Sequence, residues 1–436
     1  MRESILLLTI GSLLVQLLAA GCGQEQEPEP QVEAVSAEKP VLNKKRTFKG
    51  REYTITPLPP GVRTLGEVRS KALEVLDRVV DREASKVGNA WALAHGILVR
   101  GPDFKASDGR RAVDVLVDDY LLAEPLAGAK GLQPYFPKLK GQVRVEPHTD
   151  LILKTFVEVG MPLDEPLTSR AGSPTLERLL RSSRMRFVSG SEGSFFADVD
   201  DVAWSAQAWC QAVYKGAAPS WRTAAGMTLK VDDVAREQLE LIEREYHFIQ
   251  RARAAGETVE KRRQHIFAHA CGGAHLLQGT IACAAVEMPV VDSLESRIKQ
   301  LIDAYLWRIP LEVSLVDRAV QSAPRLIPIL LNQDIKFLGH GLELLAKAEL
   351  AGLWTPDAEQ LVALQGMEDR LLNHVLQLNG IKVYDAEKMT SLSKREHGFQ
   401  LYLDLVGDAC HARLGLQLQE RLRVRRGAAS APLIAD

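Results

Sequence analysis

His265–Cys283, HIFAHACGGAHLLQGTIAC, is the stretch of sequence that says most about the fold. A Gly-Gly pair at positions 272 and 273 divides it, and two glycines in a continuous helix would cost about 2 kcal/mol relative to alanines. We therefore predict a tight turn or a close-packed junction, with one helix ending near Ala270 and the next beginning near Ala274. The remaining residues are mainly Ala, Leu and Ile, which is typical of buried helices.

The same segment carries three histidines and two cysteines. Residues four apart share a helix face, and the junction would bring His269, Cys271 and His275 to one corner between helices. Imidazole and thiolate groups suit zinc, which takes about four ligands in a tetrahedral array. A polar pocket wall or an ordinary buried core is the alternative, because free cysteine is among the most buried residue types. We expect no cofactor, with zinc as the alternative.

Helical periodicity recurs from Thr64 onward in this 436-residue chain. Apolar segments such as Ala84–Val99 and Ile335–Leu350 alternate with amphipathic ones such as Asp232–Ala254. Strand patterns are scarce, and the count is roughly a dozen helices. The alternation predicts an all-α fold of the α/α-toroid type, with an inner ring of helices buried on both sides and an outer ring facing water. A stacked solenoid is the alternative, but no repeat of fixed length is present.

The composition is that of an ordinary globular protein, with 46% hydrophobic and 25% charged residues. The length permits one large domain or two ordinary ones. A net charge of −2 provides no basic surface for nucleic acid, so no nucleic-acid partner is expected. The sequence has no nucleotide-binding Gly-rich loop in a suitable context and no Gly-X-Ser-X-Gly elbow.

The N-terminus has the pattern of an export signal. Arg2 precedes the apolar run Ile5–Leu18, and the small residues Ala19–Gly21 lead directly to Cys22. The run is short of the roughly 20 apolar residues that a transmembrane helix needs. A cysteine directly after small residues resembles the lipobox of bacterial lipoproteins. This resemblance implies cleavage before Cys22 and acylation of that residue.

The lipoprotein resemblance also implies an extracytoplasmic protein anchored in a lipid bilayer through Cys22. Gly23 stands where Asp would signal retention, which implies passage to the outer membrane. The Pro- and Glu-rich stretch that follows predicts a disordered tether. The predicted organisation is a signal peptide at 1–21, the lipidated cysteine and tether at 22–50, the toroid domain at 51–422 and a flexible tail at 423–436.

Four further cysteines lie in apolar helical contexts. An oxidising compartment permits disulfides. We expect mostly buried thiols, with a single disulfide as the alternative. The four are Cys210, Cys271, Cys283 and Cys410.

Polar residues recur near the ends of the helices that look buried. In a toroid, inner-helix ends on one side face the same mouth, so these side chains would converge on one pocket. His340 and Glu343, three apart on one helix face, are placed to act as an acid/base pair. Taken singly, each residue is more often a core or capping residue, and that alternative stays open. The candidates are His95, Asp200, Asp201, His269, His275, His340 and Glu343.

Four segments, in this order, are similar to a family of secreted bacterial proteins. They lie within Ala90–Leu350 and read AWALAHGILVRGPDF, HTDLILKTFVEVGMPLDEPL, CGGAH and GHGLELL. They resemble uncharacterised bacterial lipoproteins that are predicted to be squalene-cyclase or prenyltransferase-like toroids. The resemblance implies the fold and an extracytoplasmic location, and no activity.

A shorter fragment resembles the class II terpene cyclases. Asp198–Asp201, DVDD, is similar to their Asp-X-Asp-Asp acid, which implies protonation of an alkene by Asp200. The chain lacks that family's repeated Gln…Trp motifs, and an aromatic content of 6% is lean for stabilising carbocations. An acidic cluster capping a helix is the alternative.

Another set of fragments resembles the lanthionine cyclase-like proteins. Ala94–Gly96, Trp209-Cys210 and Cys410-His411 match that family's zinc-site elements in order. The resemblance implies zinc on Cys210, Cys410 and His411. The glycines expected after Cys210 and His411 are missing, and the spacings are stretched.

The sequence therefore favours an envelope lipoprotein whose toroid mouth binds an extended ligand, such as a polysaccharide or a peptidoglycan fragment, with hydrolase or lyase chemistry as an extension. The rival is a structural or protein-interaction lipoprotein whose toroid centre is plugged. A zinc-dependent enzyme similar to the lanthionine cyclases is the further alternative. One structural question separates the first two: whether the polar groups open into one pocket or are satisfied one by one in the core.

Overall fold

A computed structural model describes residues 65–169, 172–187, 199–262, 265–286 and 293–426. The predicted signal peptide, Cys22, the tether and the first residues of the predicted toroid domain lie outside the described residues, as does the end of the predicted tail. The described part is mostly helical, which confirms the all-α prediction, and its few strands are short. None of its helices combines the length and the apolar character needed to cross a bilayer.

Thirteen α-helices and six short strands lie within the described ranges. The helices are α1 (Leu65–Val79), α2 (Ala90–Arg100), α3 (Ala112–Tyr120), α4 (Leu151–Glu158), α5 (Leu176–Arg186), α6 (Val199–Tyr214), α7 (Val231–Ala255), α8 (Ala274–Ala284), α9 (Leu294–Ser322), α10 (Ile327–Leu350), α11 (Ala358–Gly380), α12 (Ala386–Ser393) and α13 (Glu396–Arg425). The strands pair as antiparallel hairpins: β1 (Leu122–Pro125) with β2 (Leu132–Tyr135), β3 (Leu139–Lys140) with β4 (Val143–Arg144), and β5 (Ser220–Arg222) with β6 (Thr228–Lys230).

Six of the described helices form a series of contacts that closes on itself. α2 packs against α4, α4 against α6, α6 against α8, α8 against α10, α10 against α13, and α13 again against α2. These helices are buried nearly all round; in α2 every residue from Ala90 to Val99 is buried, and in α4 every residue from Leu151 to Val157. A helix without a polar face leaves no side for water, and these apolar segments are accordingly buried.

The other helices pack on the outside of this series. α7 packs on α6 and α8, α11 on α10, and α12 on α13. α7 buries Leu239, Ile242 and Tyr246, whereas Glu240 and His247 on the same helix are exposed. Apolar residues three and four apart make one buried stripe on such a helix. The amphipathic segment that forms α7 therefore buries one face and leaves the other exposed.

A covalent bond and a close backbone approach hold α6 against α8. Cys210 of α6 and Cys283 of α8 form a disulfide, with their Cα atoms 5.0 Å apart. A Cβ atom at Gly279 of α8 would lie 2.6 Å from the carbonyl oxygen of Ala203 in α6. The sequence allowed one disulfide without indicating its partners, and these are Cys210 and Cys283. Cys271 and Cys410 are buried and belong to no disulfide.

The predicted junction at the Gly-Gly pair is confirmed. Cys271, Gly272 and Gly273 have φ angles of 51°, 63° and 77°, which is the left-handed region that favours glycine. α8 begins directly after them at Ala274. The segment on the N-terminal side differs from the prediction, because a 3₁₀ turn over His265–Phe267 stands where we expected a helix.

The C-terminal boundary also differs from the prediction. α13 continues to Arg425, beyond the predicted domain end at 422. Arg423 contacts the carboxylate of Glu368 in α11, so an ion pair holds the last turn of α13 against α11.

Candidate functional site

Four imidazole rings meet inside the closed series of helices, and we call them the histidine cluster: His95 of α2, His275 of α8, His340 of α10 and His411 of α13. The ring centroids of His340 and His411 are 3.8 Å apart, those of His275 and His340 4.8 Å, and those of His95 and His411 5.1 Å. None of the four is more than 7% exposed. The sequence-predicted candidates His95, His275 and His340 are therefore brought together, and the predicted zinc ligand His411 joins them.

The remaining two helices of the series also contribute side chains to the cluster. Trp204 of α6 lies with its ring centroid 4.4 Å from that of His275, and the ammonium of Lys154 in α4 lies 4.4 Å from the Trp204 ring. His148, just before α4, is 5.5 Å from His275 between centroids. All six helices of the closed series therefore supply polar or aromatic groups to one interior region.

A chain of buried charges adjoins the histidine cluster, and we call it the charge network. Lys347 Nζ lies 2.5 Å from Glu158 Oε1 and 2.5 Å from Glu343 Oε1. Lys154 Nζ lies 2.6 Å from Glu158 Oε2. Glu343 Oε2 accepts a hydrogen bond from His411 Nδ1 at 2.6 Å. His340 and Glu343, the predicted acid/base pair, thus both contact His411: Glu343 through this hydrogen bond and His340 through its ring.

The electrostatics keep the acids of this network ionised. Burial would raise the pKa of Glu343, but Lys347 and His411 outweigh it and hold that pKa well below its usual value. Burial likewise opposes ionisation of Glu158, and Lys154 and Lys347 lower its pKa in the same way. Each buried carboxylate therefore has a cationic partner, which is the condition under which charges persist inside a protein.

The imidazoles of His275 and His340 are held neutral. Burial lowers the pKa of both rings well below its usual value, and the neighbouring imidazoles lower it further. His275 Nε2 and His340 Nδ1 are buried nitrogens without a hydrogen-bond partner. Buried polar atoms are usually satisfied, so two such nitrogens in one cluster require an explanation.

Two groups in the described part of the chain offer ligand atoms that all lie within 4.8 Å of one another. One consists of Cys271, His275 and His340, and the other of His340, Glu343 and His411. Cys271 and His275 were predicted to share a corner, and they do. Their third partner is His340 of α10, which lies far from them in the sequence.

A cleft of about 710 Å³ lies at the C-terminal ends of the six helices of the closed series. Glu158 and Lys347 of the charge network line it, so the network runs from the cleft to the histidine cluster. Tyr214 at its edge is 83% exposed. Glutamines line it as well: Gln207, Gln211, Gln278 and Gln417.

Two of the sequence-predicted sites are not part of this region as described. His269 Nε2 lies 3.2 Å from Glu245 Oε2 of α7, because the left-handed turn that follows directs Cys271 inward and leaves His269 against the outer helix. In the group of ligand atoms that contains Cys271 and His275, His340 takes the place predicted for His269. Asp200 and Asp201 belong to the first turn of α6, and their side chains lie outside the described residues.

The zinc ligands implied by the lanthionine cyclase-like resemblance are not assembled. Cys210 is bonded to Cys283, which removes its thiolate. Cys410 and His411 are successive residues on α13 and so point about 100° apart. Burial raises the pKa of the Cys410 thiol, which keeps it protonated. The residues present do not fit a zinc ion at that position.

Sequence reasoning missed the charge network. Lys154 lies in LILKTFVE and Lys347 in LLAKAEL, each a cationic residue within a mainly apolar stretch of its helix. A charge at such a position requires a buried partner, and that was the available signal. The i,i+4 spacing of Lys154 and Glu158 indicates the pair within α4. No spacing could indicate that Lys347 of α10 contacts the same carboxylate.

Comparison with known proteins found no matching family model, no matching curated protein and no matching solved structure. The resemblances described above stay predictions. What the chain does is therefore inferred from its own residues.

Proposed function

We propose that the chain is an extracytoplasmic lipoprotein with an α/α-toroid fold, whose cleft binds an extended polar ligand such as a polysaccharide or a peptidoglycan fragment. The closed contact series α2, α4, α6, α8, α10 and α13 supports the toroid, as its inner ring. The seven other described helices then make the outer ring. The N-terminal pattern that ends in Cys22 supports the location. So does the Cys210–Cys283 disulfide, because disulfides persist in oxidising compartments.

The observation that carries the binding proposal is a set of unpartnered amide atoms at one cleft. The side-chain oxygens of Gln207, Gln211 and Gln278 have no hydrogen-bond partner, nor does the side-chain nitrogen of Gln278. Leaving such a buried atom unsatisfied costs about 1–3 kcal/mol, and a polar ligand in the cleft would satisfy them. An amide both donates and accepts, which matches the hydroxyl and acetamido groups of glycans and the backbone of peptides.

The dimensions and charge of the cleft fit the same kind of ligand. Its volume of about 710 Å³ lies within the range of small-molecule sites, about 300–1,000 Å³. The exposed ring of Tyr214 offers a flat apolar face beside polar groups, as a sugar ring requires. Lys347 and Glu158 at the cleft neutralise each other. Three further cationic side chains line it: Arg100, Lys215 and Arg421. This excess of positive charge suits a polar ligand that carries carboxylates, as peptidoglycan fragments do.

The hydrolase or lyase extension has less support. Glu158 is the one carboxylate among the described residues that line the cleft, and its two lysine partners keep it ionised. A general acid would need a raised pKa. Glu343 and His411 are buried behind Lys347. We therefore propose binding and assign no reaction to the cleft.

Calorimetric titration of the full-length protein with soluble peptidoglycan fragments and with neutral oligosaccharides tests the binding proposal. The double variant Gln207→Ala/Gln278→Ala should weaken binding about 10-fold or more, because each lost hydrogen bond is worth about 0.5–1.5 kcal/mol. Gln365→Ala is the matched control, since Gln365 bonds to Asp369 on α11 away from the cleft. Absence of binding to every compound would favour the structural lipoprotein with a plugged centre.

Replacement of Cys22 by Ser tests the anchor. The variant should leave the membrane fraction or accumulate with its signal peptide uncleaved, because it has no thiol to acylate. Cell fractionation followed by mass spectrometry measures both outcomes. A variant that still sediments with membranes, at mature size and without lipid, would show that the lipoprotein proposal is wrong.

A further inference from the structure

The turn before α8 is built so that it places Cys271 inside the protein. Cys271 itself has a left-handed φ of 51°, which a residue with a side chain rarely adopts. Arg308 Nη1 donates a hydrogen bond to the carbonyl oxygen of Gly272 at 2.8 Å. Arg308 is in turn held by Glu312 Oε1 at 2.9 and 2.8 Å. A buried ion pair thus fixes the backbone that directs Cys271 towards α8 and α10.

Cys271 meets two histidines whose ring nitrogens are available. A ligand atom from each of Cys271, His275 and His340 lies within 4.8 Å of the other two. A tetrahedral zinc ion with bonds of about 2.0–2.3 Å places its ligand atoms about 3.5 Å apart, so small side-chain rotations would close the group around one ion. His275 Nε2 and His340 Nδ1 have no hydrogen-bond partner, and both residues are more than nine-tenths buried.

The protonation state of the two rings agrees with this geometry. A metal binds the neutral imidazole and not the imidazolium. Burial, together with the neighbouring imidazoles, lowers the pKa of His275 and of His340 well below its usual value. No proton has to be displaced from either ring near neutral pH.

The second group of ligand atoms, His340 with Glu343 and His411, is less suited to an ion. Both carboxylate oxygens of Glu343 are occupied, Oε1 by Lys347 and Oε2 by His411. A metal there would have to replace an ammonium contact. In the group that contains Cys271, His275 Nε2 and His340 Nδ1 have no hydrogen bond that an ion would replace.

We propose that Cys271, His275 and His340 bind a divalent transition metal of the zinc type. One thiolate and two imidazoles are a ligand set of borderline softness that suits zinc. Three protein ligands leave a fourth position, which in such sites is taken by water or another ligand. His411, which is 3.8 Å from His340 between ring centroids and is oriented by Glu343, lies next to this group. The inference is independent of whether the cleft binds a glycan or a peptide.

The cluster is buried, so the ion is expected to enter as the chain folds. The full-length protein, with its disulfide intact, would be unfolded in a denaturant that contains EDTA. It would then be refolded by removal of both, with Zn²⁺, with Co²⁺ or without metal. We expect about one ion per chain by elemental analysis and a higher melting temperature with Zn²⁺ than without, because metal binding contributes folding free energy. Co²⁺ should give a thiolate-to-metal charge-transfer band.

Two cysteine variants identify the thiolate. Cys271→Ser should lose the charge-transfer band and weaken metal binding at least about 10-fold. Cys410→Ser should keep both, since Cys410 is another buried thiol outside the disulfide. Loss of the band in Cys410→Ser with its retention in Cys271→Ser would overturn the assignment.

X-ray absorption of the unmodified protein decides the matter if the Cys271 variant does not fold. We expect one sulfur at about 2.3 Å and two or more nitrogen or oxygen ligands at about 2.0 Å from zinc. A shell without sulfur would overturn the proposal, and so would failure of the refolded protein to retain more than about a tenth of an equivalent of metal.

Discussion

Breaking the disulfide between Cys210 and Cys283 should cost this protein much of its stability. The bridge spans 73 residues, and the loss of unfolded-chain entropy for a loop of that length is worth about 4 kcal/mol at 25 °C. For the roughly 340 residues that the structure describes, the average entropy of unfolding per residue converts this to a fall in melting temperature of about 6 °C. Because α6 and α8 are also neighbours in the closed contact series, local opening should begin between them.

The assay is thermal unfolding followed by circular dichroism at 222 nm, with and without a phosphine reductant. Mass spectrometry after thiol alkylation confirms that the bridge is reduced. The variant Cys210→Ala/Cys283→Ala should melt near the temperature of the reduced protein and should not respond to the reductant. A melting temperature that is unchanged by verified reduction would refute the reasoning, as would a reductant effect of equal size in the variant.

Two further predictions concern packing and buried charge. Gly279→Ala should destabilise the fold by about 1–3 kcal/mol, because its Cβ would lie 2.6 Å from a backbone oxygen of α6. Gly366→Ala is the control: its Cβ would have nothing within 4 Å, so the variant should be more stable by up to about 1 kcal/mol. The midpoints of urea unfolding measure both effects. Glu312→Gln should cost about 3–5 kcal/mol near pH 7, because it leaves the buried Arg308 without its carboxylate. Burial would raise the pKa of Glu312, but Lys261 and Arg308 together lower it below 4.5, so this stabilisation is present above pH 4.5 and is lost as pH falls through the lower folded value.

The outcomes that contradict these two predictions are equally specific. If Gly279→Ala and Gly366→Ala shift the urea midpoint equally, α6 and α8 do not approach as closely as described. If the gap between the unmodified protein and Glu312→Gln stays constant from pH 7 to pH 3, the Glu312 carboxylate does not carry the charge stabilisation.

The helical class of this protein and the burial of particular helices could be read from the sequence. The apolar run Ala84–Val99 has no polar face, and α2 is accordingly buried. The amphipathic run Asp232–Ala254 corresponds to the outer helix α7. Both are local properties, because the period of hydrophobic residues along a helix is set by the chain itself. The turn at Gly272-Gly273 was predictable for the same reason, since backbone preference depends on the residue.

Part of the candidate site was also predictable. His95, His275, His340, Glu343 and Cys271 were singled out as polar groups in buried helices, and they do lie together. The sequence could not show that His269 turns outward, because that depends on three left-handed residues in succession.

Only the tertiary structure decided which distant groups meet. The four cysteines besides Cys22 allow three pairings of two bridges, and the contact between α6 and α8 selects Cys210 with Cys283. The contact between α10 and α13 brings His340 to His411 and joins Glu343 to the same imidazole. Lys347 reaches across to Glu158 of α4. These pairs depend on how whole helices are rotated and shifted against one another, and that arrangement is set by the sum of many side-chain contacts and by no local pattern.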